Sequence, residues 1–207
     1  MPSLSYLRRI QMVDKFVILD NVQRVARGFE NRNKLVDNQG KEHWVSIPIE
    51  SSTRTLIKDT KIFGREWTKE HKAKISQWYG KDIAEMYSQM ITDSDDYRTL
   101  LVYQLKAICK LMNIQTEIVQ ASDYKKELDG GIDELIELTK LVDCDVYVSG
   151  NTCLTYGLDY DYANKHGIQL EIDHVSGIHY GFIHDLALKG IDYCIEYIHN
   201  PQYKKDV

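Results

Sequence analysis

The sequence predicts an α/β fold: a layered, parallel sheet with a β-hairpin and a helical insertion beside it. Three observations carry that expectation. KFVILD (15–20) and VYVSG (146–150) are too continuously apolar for half-exposed strands and suit strands covered on both faces. Between such runs lie stretches of helical period, the strongest at 95–112 with Leu101, Leu105, Ile108 and Met112 in register. The order of signals is helix, strand, hairpin, helices, strand, helix, strand, helix, strand, the pattern of strands joined by crossovers.

Taken in order, residues 4–12 read as a short helix capped by Ser3, with Leu4, Leu7 and Ile10 on one face. The strand at 15–20 follows, then a loop through Gly28. NKLVDNQGKEHWVSIPIE (33–50) reads as a hairpin turning at Asp37-Asn38-Gln39-Gly40, with Trp44, Ser46 and Pro48 alternating against Val45, Ile47 and Ile49. Pro48 puts its second arm at a sheet edge. IKDTKIF (57–63) is expected as a further strand. Residues 65–80 are helical, with Trp67, His71, Ile75 and Trp78 along one face, and 81–91 form a second helix. Asn113 closes the helix of 95–112, and IQTEIVQAS (114–122) is a strand. Asp129-Gly130-Gly131 leads into the helix 132–142, the strand at 144–149 ends in a Gly loop, and the helix 159–167 stops at Gly167 before the strand IQLEID (168–173). Residues 184–197 form a last helix. Strands near 15–20, 115–120, 144–149 and 168–173 are expected to share one parallel core, in a single domain spanning 1–207.

Composition narrows the function. At 207 residues, 43% hydrophobic and 28% charged, the chain has the make-up of a soluble globular protein. A net charge of −5 argues against nucleic acid as a partner. No apolar run approaches the ~20 residues that span a bilayer, and Arg8, Arg9 and Gln11 interrupt any leader-like core, so a cytoplasmic protein without membrane insertion is expected. Cys109, Cys144, Cys153 and Cys194 form no CxxC pair and read as reduced, mostly buried thiols.

Ligands of parallel sheets bind beyond the carboxyl ends of the strands. Two strands here end in polar turns that fall on one edge of such a sheet. The first begins at Asp20 and continues through Gln23, Arg27, Asn31, Arg32 and Asn33; the second is Ser149-Gly150-Asn151. Asp20 suits a positioning carboxylate or a base, the amides suit hydroxyl recognition, and Arg27 and Arg32 suit phosphate or carboxylate. Ser149, Gly150 and Asn151 offer N–H groups and a hydroxyl at a helix start. Tyr156, in YGLDYDY, suits stacking on a sugar or base. Each of these residues also has an ordinary role: Asp, Asn and Arg satisfy turn backbones in many loops. His71 lies on an apolar helical face and reads as a packed core residue. His174, His179 and His184 recur every five residues, a spacing unlike that of helical metal ligands, and no metal is assigned to them. No GxSxG, GxxxxGK[ST] or GxGxxG occurs.

DKFVILDNVQRVARGFENRNKL (14–35) followed by GKEHWVSIPI (40–49) resembles the opening block of the WbqC-like family. The matching motifs are Asp20-Asn21-Val22-Gln23, Asn31-Arg32-Asn33 and Trp44 to Pro48, with further likeness at Trp67 and His71, at YVSGN (147–151), at Tyr156 and at GIQLE (167–171). Asn21 stands where the family has a second Asp, Phe29 where it has Trp, and Asn151-Thr152-Cys153 where it has a Gly-rich run. Members usually begin with a strand and a His-Gln-Pro-x-Tyr-x-Pro turn, and Pro2-Ser3-Leu4-Ser5-Tyr6 resembles only the end of that turn. Either the start is drawn too late or an innermost strand has been lost. In a parallel sheet that would strip hydrogen-bond partners from a neighbour and open a slot in the core. The resemblance implies a Rossmann-like fold and a role in O-antigen or other surface-polysaccharide biosynthesis. The expected activity is that of a transferase on a nucleotide-linked sugar or related phosphorylated metabolite. The alternative is a non-catalytic relative that keeps the pocket. No cofactor is assigned, and a homodimer is part of the expectation.

Overall fold

A computed structural model describes residues 1–25, 28–50, 54–128, 130–174 and 180–200. Its regular elements are α1 (Leu4–Gln11), β1 (Lys15–Ile18), β2 (Arg32–Val36), β3 (Glu42–Ser46), α2 (Glu66–Tyr79), α3 (Lys81–Gln89), α4 (Tyr97–Leu111), β4 (Glu117–Gln120), α5 (Ile132–Leu141), β5 (Val146–Gly150), α6 (Tyr160–Lys165), β6 (Gln169–Asp173) and α7 (Phe182–His199). Local chemistry sets most of the boundaries. Ser3 Oγ accepts the Tyr6 N–H at the start of α1, Asp96 accepts that of Thr99 at the start of α4, and Asp159 that of Tyr162 at the start of α6. Asn113 takes up a left-handed conformation (φ 56°) just after α4, where an asparagine costs little.

The strands do not form one continuous sheet. β1 pairs in parallel with β4, and β5 with β6, as two separate two-stranded units, while β2 and β3 make the antiparallel hairpin. The two parallel units run in the same direction: Lys15 Nζ, at the head of β1, donates to the Val142 carbonyl just before β5 (2.7 Å). The expected single core is therefore corrected to two units with a cleft between β1 and β5. Because of that cleft, β1 and most of β5 are half-buried rather than covered on both sides.

The hairpin keeps its expected register, Asn33 against Val45 and Leu35 against His43, and buries Leu35, Val45 and Ile47. The strand expected at 57–63 is replaced by a short 3-10 turn, Ile57–Asp59, followed by isolated bridges from Lys61 to Asp96 and Ile62 to Ile49. The reason lies in its neighbours. Lys58 N–H donates to the Asp20 carbonyl (2.7 Å), Ile57 N–H to that of Val22 (3.0 Å), and Thr60 Oγ1 back to Leu56 (2.9 Å), which winds the segment against the loop after β1.

The largest core joins α1, α2, α3, α4, α7 and the hairpin around Leu7, Ile10, Leu35, Ile75, Ile108 and Phe182. Each fully buried side chain of this kind stabilises by about 1.5–3 kcal/mol relative to exposure. On α4 it is Leu100 that is fully buried, with Leu101 half-exposed. A second core packs α5 and α6 on β5 and β6 through Ile136, Leu158, Ile168 and Leu170. Helix α7 breaks at Gly190 (φ 83°), and both halves bury side chains in the largest core, Phe182, Ile183 and Leu186 before the break and Cys194 and Ile198 after it.

Candidate functional site

The carboxyl ends of the two parallel units gather a group of buried polar side chains, Asp20, Asn21, Asp173 and Arg8. Asp20, two residues past β1, is completely enclosed. Its carboxylate accepts the Ser122 N–H (2.9 Å) and the Ser122 hydroxyl (2.7 Å), and faces Arg98 Nη1 at 3.5 Å. Ser122 stands in the turn after β4, so Asp20 ties the ends of the paired strands together and holds Arg98, from the first turn of α4, beside them. Asn21 is equally buried; its amide donates to the Lys125 carbonyl (2.7 Å), and its Oδ1 has no partner among the described residues.

The other unit ends similarly. Gly150 closes β5 in register with Asp173 of β6. Asp173 is 2% exposed and lies 3.9 Å from Arg8 of α1, itself 2% exposed. That separation is beyond hydrogen-bonding range, and both Asp173 Oδ1 and Arg8 Nη1 are without hydrogen-bond partners among the described residues. A guanidinium from the next turn position covers Gly150: a Cβ added there would stand 2.2 Å from Arg9 Nη1, so glycine admits this approach. Arg9 also lies 5.9 Å from the Tyr6 ring centroid, within cation–π range.

Two cavities meet here. One, of about 460 Å³, runs between β1 and β5 and is lined by Arg9, Lys15, Val17, Leu19, Val148, Ser149 and Gly150 among others. The second, of about 400 Å³, opens between Leu19, Val22, Leu128, the start of α5 at Gly130-Gly131, and Tyr156. Leu19 and Leu135 line both, so the cavities adjoin. At the start of α5 the Gly130 N–H is already taken by Glu134 (2.5 Å).

Some residues singled out from sequence converge here and others do not. Ser149 and Gly150 line the first cavity and Tyr156 the second; the loop after β1 reaches both through Leu19 and the second through Val22. Gln23, Asn31, Arg32, Asn33 and Asn151 line neither. Gln23 makes an isolated bridge to Leu56. Asn31 donates to the Ile47 carbonyl (3.0 Å), and Asn33 to the Met1 carbonyl (2.8 Å) while accepting the Lys34 N–H (2.7 Å). Arg32 stacks over Trp44 at 4.1 Å, and Phe29 stands 5.7 Å from the same indole, with Phe29 and Trp44 both exposed. The Asn-Arg-Asn block thus ties the hairpin to the start of α1. Arg27 and His179 lie outside the described residues. His184 Nδ1 is hydrogen-bonded to Tyr79 (3.0 Å), and partial burial lowers its pKa.

Sequence reasoning missed Arg8, Arg9 and Arg98 as site residues. Their signal was weak: the first two sit in an ordinary amphipathic helix, and Arg98 follows a helix cap. Only the parallel topology turns α1 and the start of α4 toward the strand ends.

The chain is 28% identical over 164 residues to the Uncharacterized protein Rv1507c of Mycobacterium tuberculosis, a match covering 75% of this chain and 70% of that relative. No solved structure matches. The model of the WbqC-like protein family matches residues 1–186, which takes in every element that builds the edge just described, and the chain belongs to that family.

Proposed function

We propose that the protein binds a nucleotide-linked sugar, or a related phosphorylated metabolite, at the carboxyl edge of its parallel strands and transfers a group from it in surface-polysaccharide synthesis. One observation carries this reading. Three guanidinium groups, Arg8, Arg9 and Arg98, gather at that edge, where Arg9 lines the first cavity and Asn21 Oδ1, Asp173 Oδ1 and Arg8 Nη1 are buried without hydrogen-bond partners among the described residues. Buried polar atoms are nearly always satisfied in native proteins, so open ones gathered at the strand ends support a binding site there. Arg9 and Arg98 suit the anionic part of the ligand, Ser149 and the Gly150 backbone its polar part, and Tyr156 a stacked ring. Asp20, Asn31 and Asn33 act as positioning residues in this reading, because their side chains are bonded within the protein. Cytoplasmic residence, where activated sugars are used, and a homodimer belong to the same reading. Among the described residues no helix is long and apolar enough to cross a membrane.

Binding without turnover is the second reading, and the enclosure of Asp20 favours it: a carboxylate with no access to ligand is a poor general base. UDP-N-acetylglucosamine, UDP and free N-acetylglucosamine, each tested by thermal shift against the protein and its Arg98→Ala variant, examine both. The reading expects stabilisation by the two nucleotides that Arg98→Ala abolishes. Release of UDP with a candidate acceptor supports the transferase, and binding with no release supports the module. No stabilisation by any of the three sinks the nucleotide-sugar assignment.

A further inference from the structure

We infer that the second cavity, between the end of β1 and the start of α5, holds a short aliphatic chain, so that the ligand of this edge joins an anionic part to an apolar tail of the kind an acyl group carries. The wall is made of Leu19, Val22, Leu128, Ile132 and Leu135, with the Tyr156 ring beside them. Among the described residues of the wall, Glu134 is the one carboxylate, and both of its oxygens are engaged: Oε2 accepts the Gly130 N–H (2.5 Å) and Oε1 accepts from Lys125 Nζ (3.1 Å). Much of the wall's backbone is engaged in the same way. The Val22 carbonyl accepts the Ile57 N–H (3.0 Å), the Leu128 N–H donates to the Asn21 carbonyl (3.3 Å), and the Gly131 carbonyl accepts the Leu135 N–H (3.4 Å).

This chemistry chooses among occupants. A nucleobase or sugar ring placed inside would bury donors and acceptors against groups that are already bonded, and a buried polar group without a partner is costly. A hydrocarbon chain has nothing to pair and gains from every methylene it withdraws from water. Apolar cavities stay dry and accept apolar guests for this reason. A volume of about 400 Å³ lies at the small end of ligand pockets, room for a short chain and not for a lipid tail. The neighbouring cavity supplies the other half. Leu19 and Leu135 belong to both walls, and the first cavity carries Arg9, Ser149 and Gly150. A ligand whose anionic part lies by Arg9 therefore has an apolar path for its tail past these two leucines. Tyr156 is 48% exposed, so its ring stands at the mouth and remains open to the stacking proposed above. For the molecule that bears the chain, the inference rests on the nucleotide-sugar reading; for the chain itself, it rests on the cavity alone.

Sodium butyrate, hexanoate and octanoate, which contain no nucleotide, test the cavity by NMR titration of the methyl groups of Leu19, Val22, Leu128 and Ile132 in the 207-residue chain. Affinity should rise about fourfold for each added methylene, the fold-change that ~0.8 kcal/mol of burial gives. The shifts should concentrate at those four residues and leave Ile108, in the largest core, unmoved. Val22→Phe and Ile132→Phe, each at a half-buried position, fill the space from two sides and should each remove the chain-length dependence. The methyl spectrum shows that a variant is folded before it is titrated. A gain of less than about twofold per methylene, or an undiminished gain in a folded variant, would overturn the inference. Thermal shift with UDP-N-acetylglucosamine separates the two readings. Chain dependence without nucleotide stabilisation keeps the cavity's occupant and removes the nucleotide that bears it; nucleotide stabilisation without chain dependence does the reverse.

Discussion

His71 makes stability fall with acid in a window where few other groups act. It sits on α2, 4% exposed, with its ring edge-on to Trp67 at 5.0 Å between centroids. Nε2 lies 3.0 Å from the Ser46 carbonyl, which can only accept, so Nε2 carries the proton and Nδ1 accepts from the Tyr87 hydroxyl at 2.8 Å. A second proton on Nδ1 would oppose that hydroxyl and leave a charge among apolar rings. Burial accordingly pushes the pKa from 6.5 to about 4, against a smaller upward pull from the Ser46 carbonyl. The unfolded chain binds the proton near pH 6.5 and the folded one near 4, so the unfolded state gains as pH falls through that interval. At about 1.4 kcal/mol per pH unit, roughly 2 kcal/mol is lost between pH 7 and 5, a large share of a domain's 5–15 kcal/mol. The lowered carboxylates of Asp37 and Asp96 act in the same direction only below about pH 4. Urea unfolding of the protein and of His71→Gln at pH 7, 6 and 5 isolates the term. The native chain should lose about 2 kcal/mol more than the variant over that range. Parallel losses in the two proteins, or an NMR titration of His71 near pH 6.5, would refute the reasoning.

Other consequences are as direct. Asp20→Ala strands the Ser122 N–H and Arg98, and should cost about 2–3 kcal/mol in chemical unfolding, with Asp20→Asn costing less because an amide still accepts. Asn33→Ala unties the hairpin from the Met1 carbonyl and should cost about 1 kcal/mol and raise proteolysis near the N-terminus. Gly190→Ala meets no atom within 4 Å, so its loss of about 1–2 kcal/mol by thermal unfolding would come from the left-handed backbone alone. Ile108→Ala, at a completely buried position of the largest core, should cost about 2–5 kcal/mol by the same measurement.

Elements whose cause is local were legible from the chain itself. The caps at Ser3 and Asp159, the turn at Asp37 to Gly40 and the alternation of the hairpin each act over a few residues, and the structure follows them. The segment 57–63 was not legible, because its alternative partner, the loop after β1, is more than thirty residues away in the chain. The site divides in the same way. The strand-end turns at Asp20 and Ser149 could be placed from pattern alone, since parallel topology puts both on one edge. The partners of their side chains could not. Asp20 bonds Ser122, 102 residues on, and Asn33 bonds Met1, 32 residues back. A cluster of Asp, Asn and Arg has the same composition whether its atoms face a ligand or the protein's own backbone.

One mismatch between sequence and structure carries information of its own. KFVI and VYVS have the composition of strands buried on both sides, yet all eight residues are only half-buried. An edge strand normally tolerates exposure by carrying charge, proline or a bulge; here, only Lys15 fits that description, and its ammonium is turned to the Val142 carbonyl. Phe16, Val17, Val146, Tyr147 and Val148 are residues of a sheet interior standing at two facing edges. Their backbone groups on the cleft side have no strand partner among the described residues, so their composition exceeds the burial they receive.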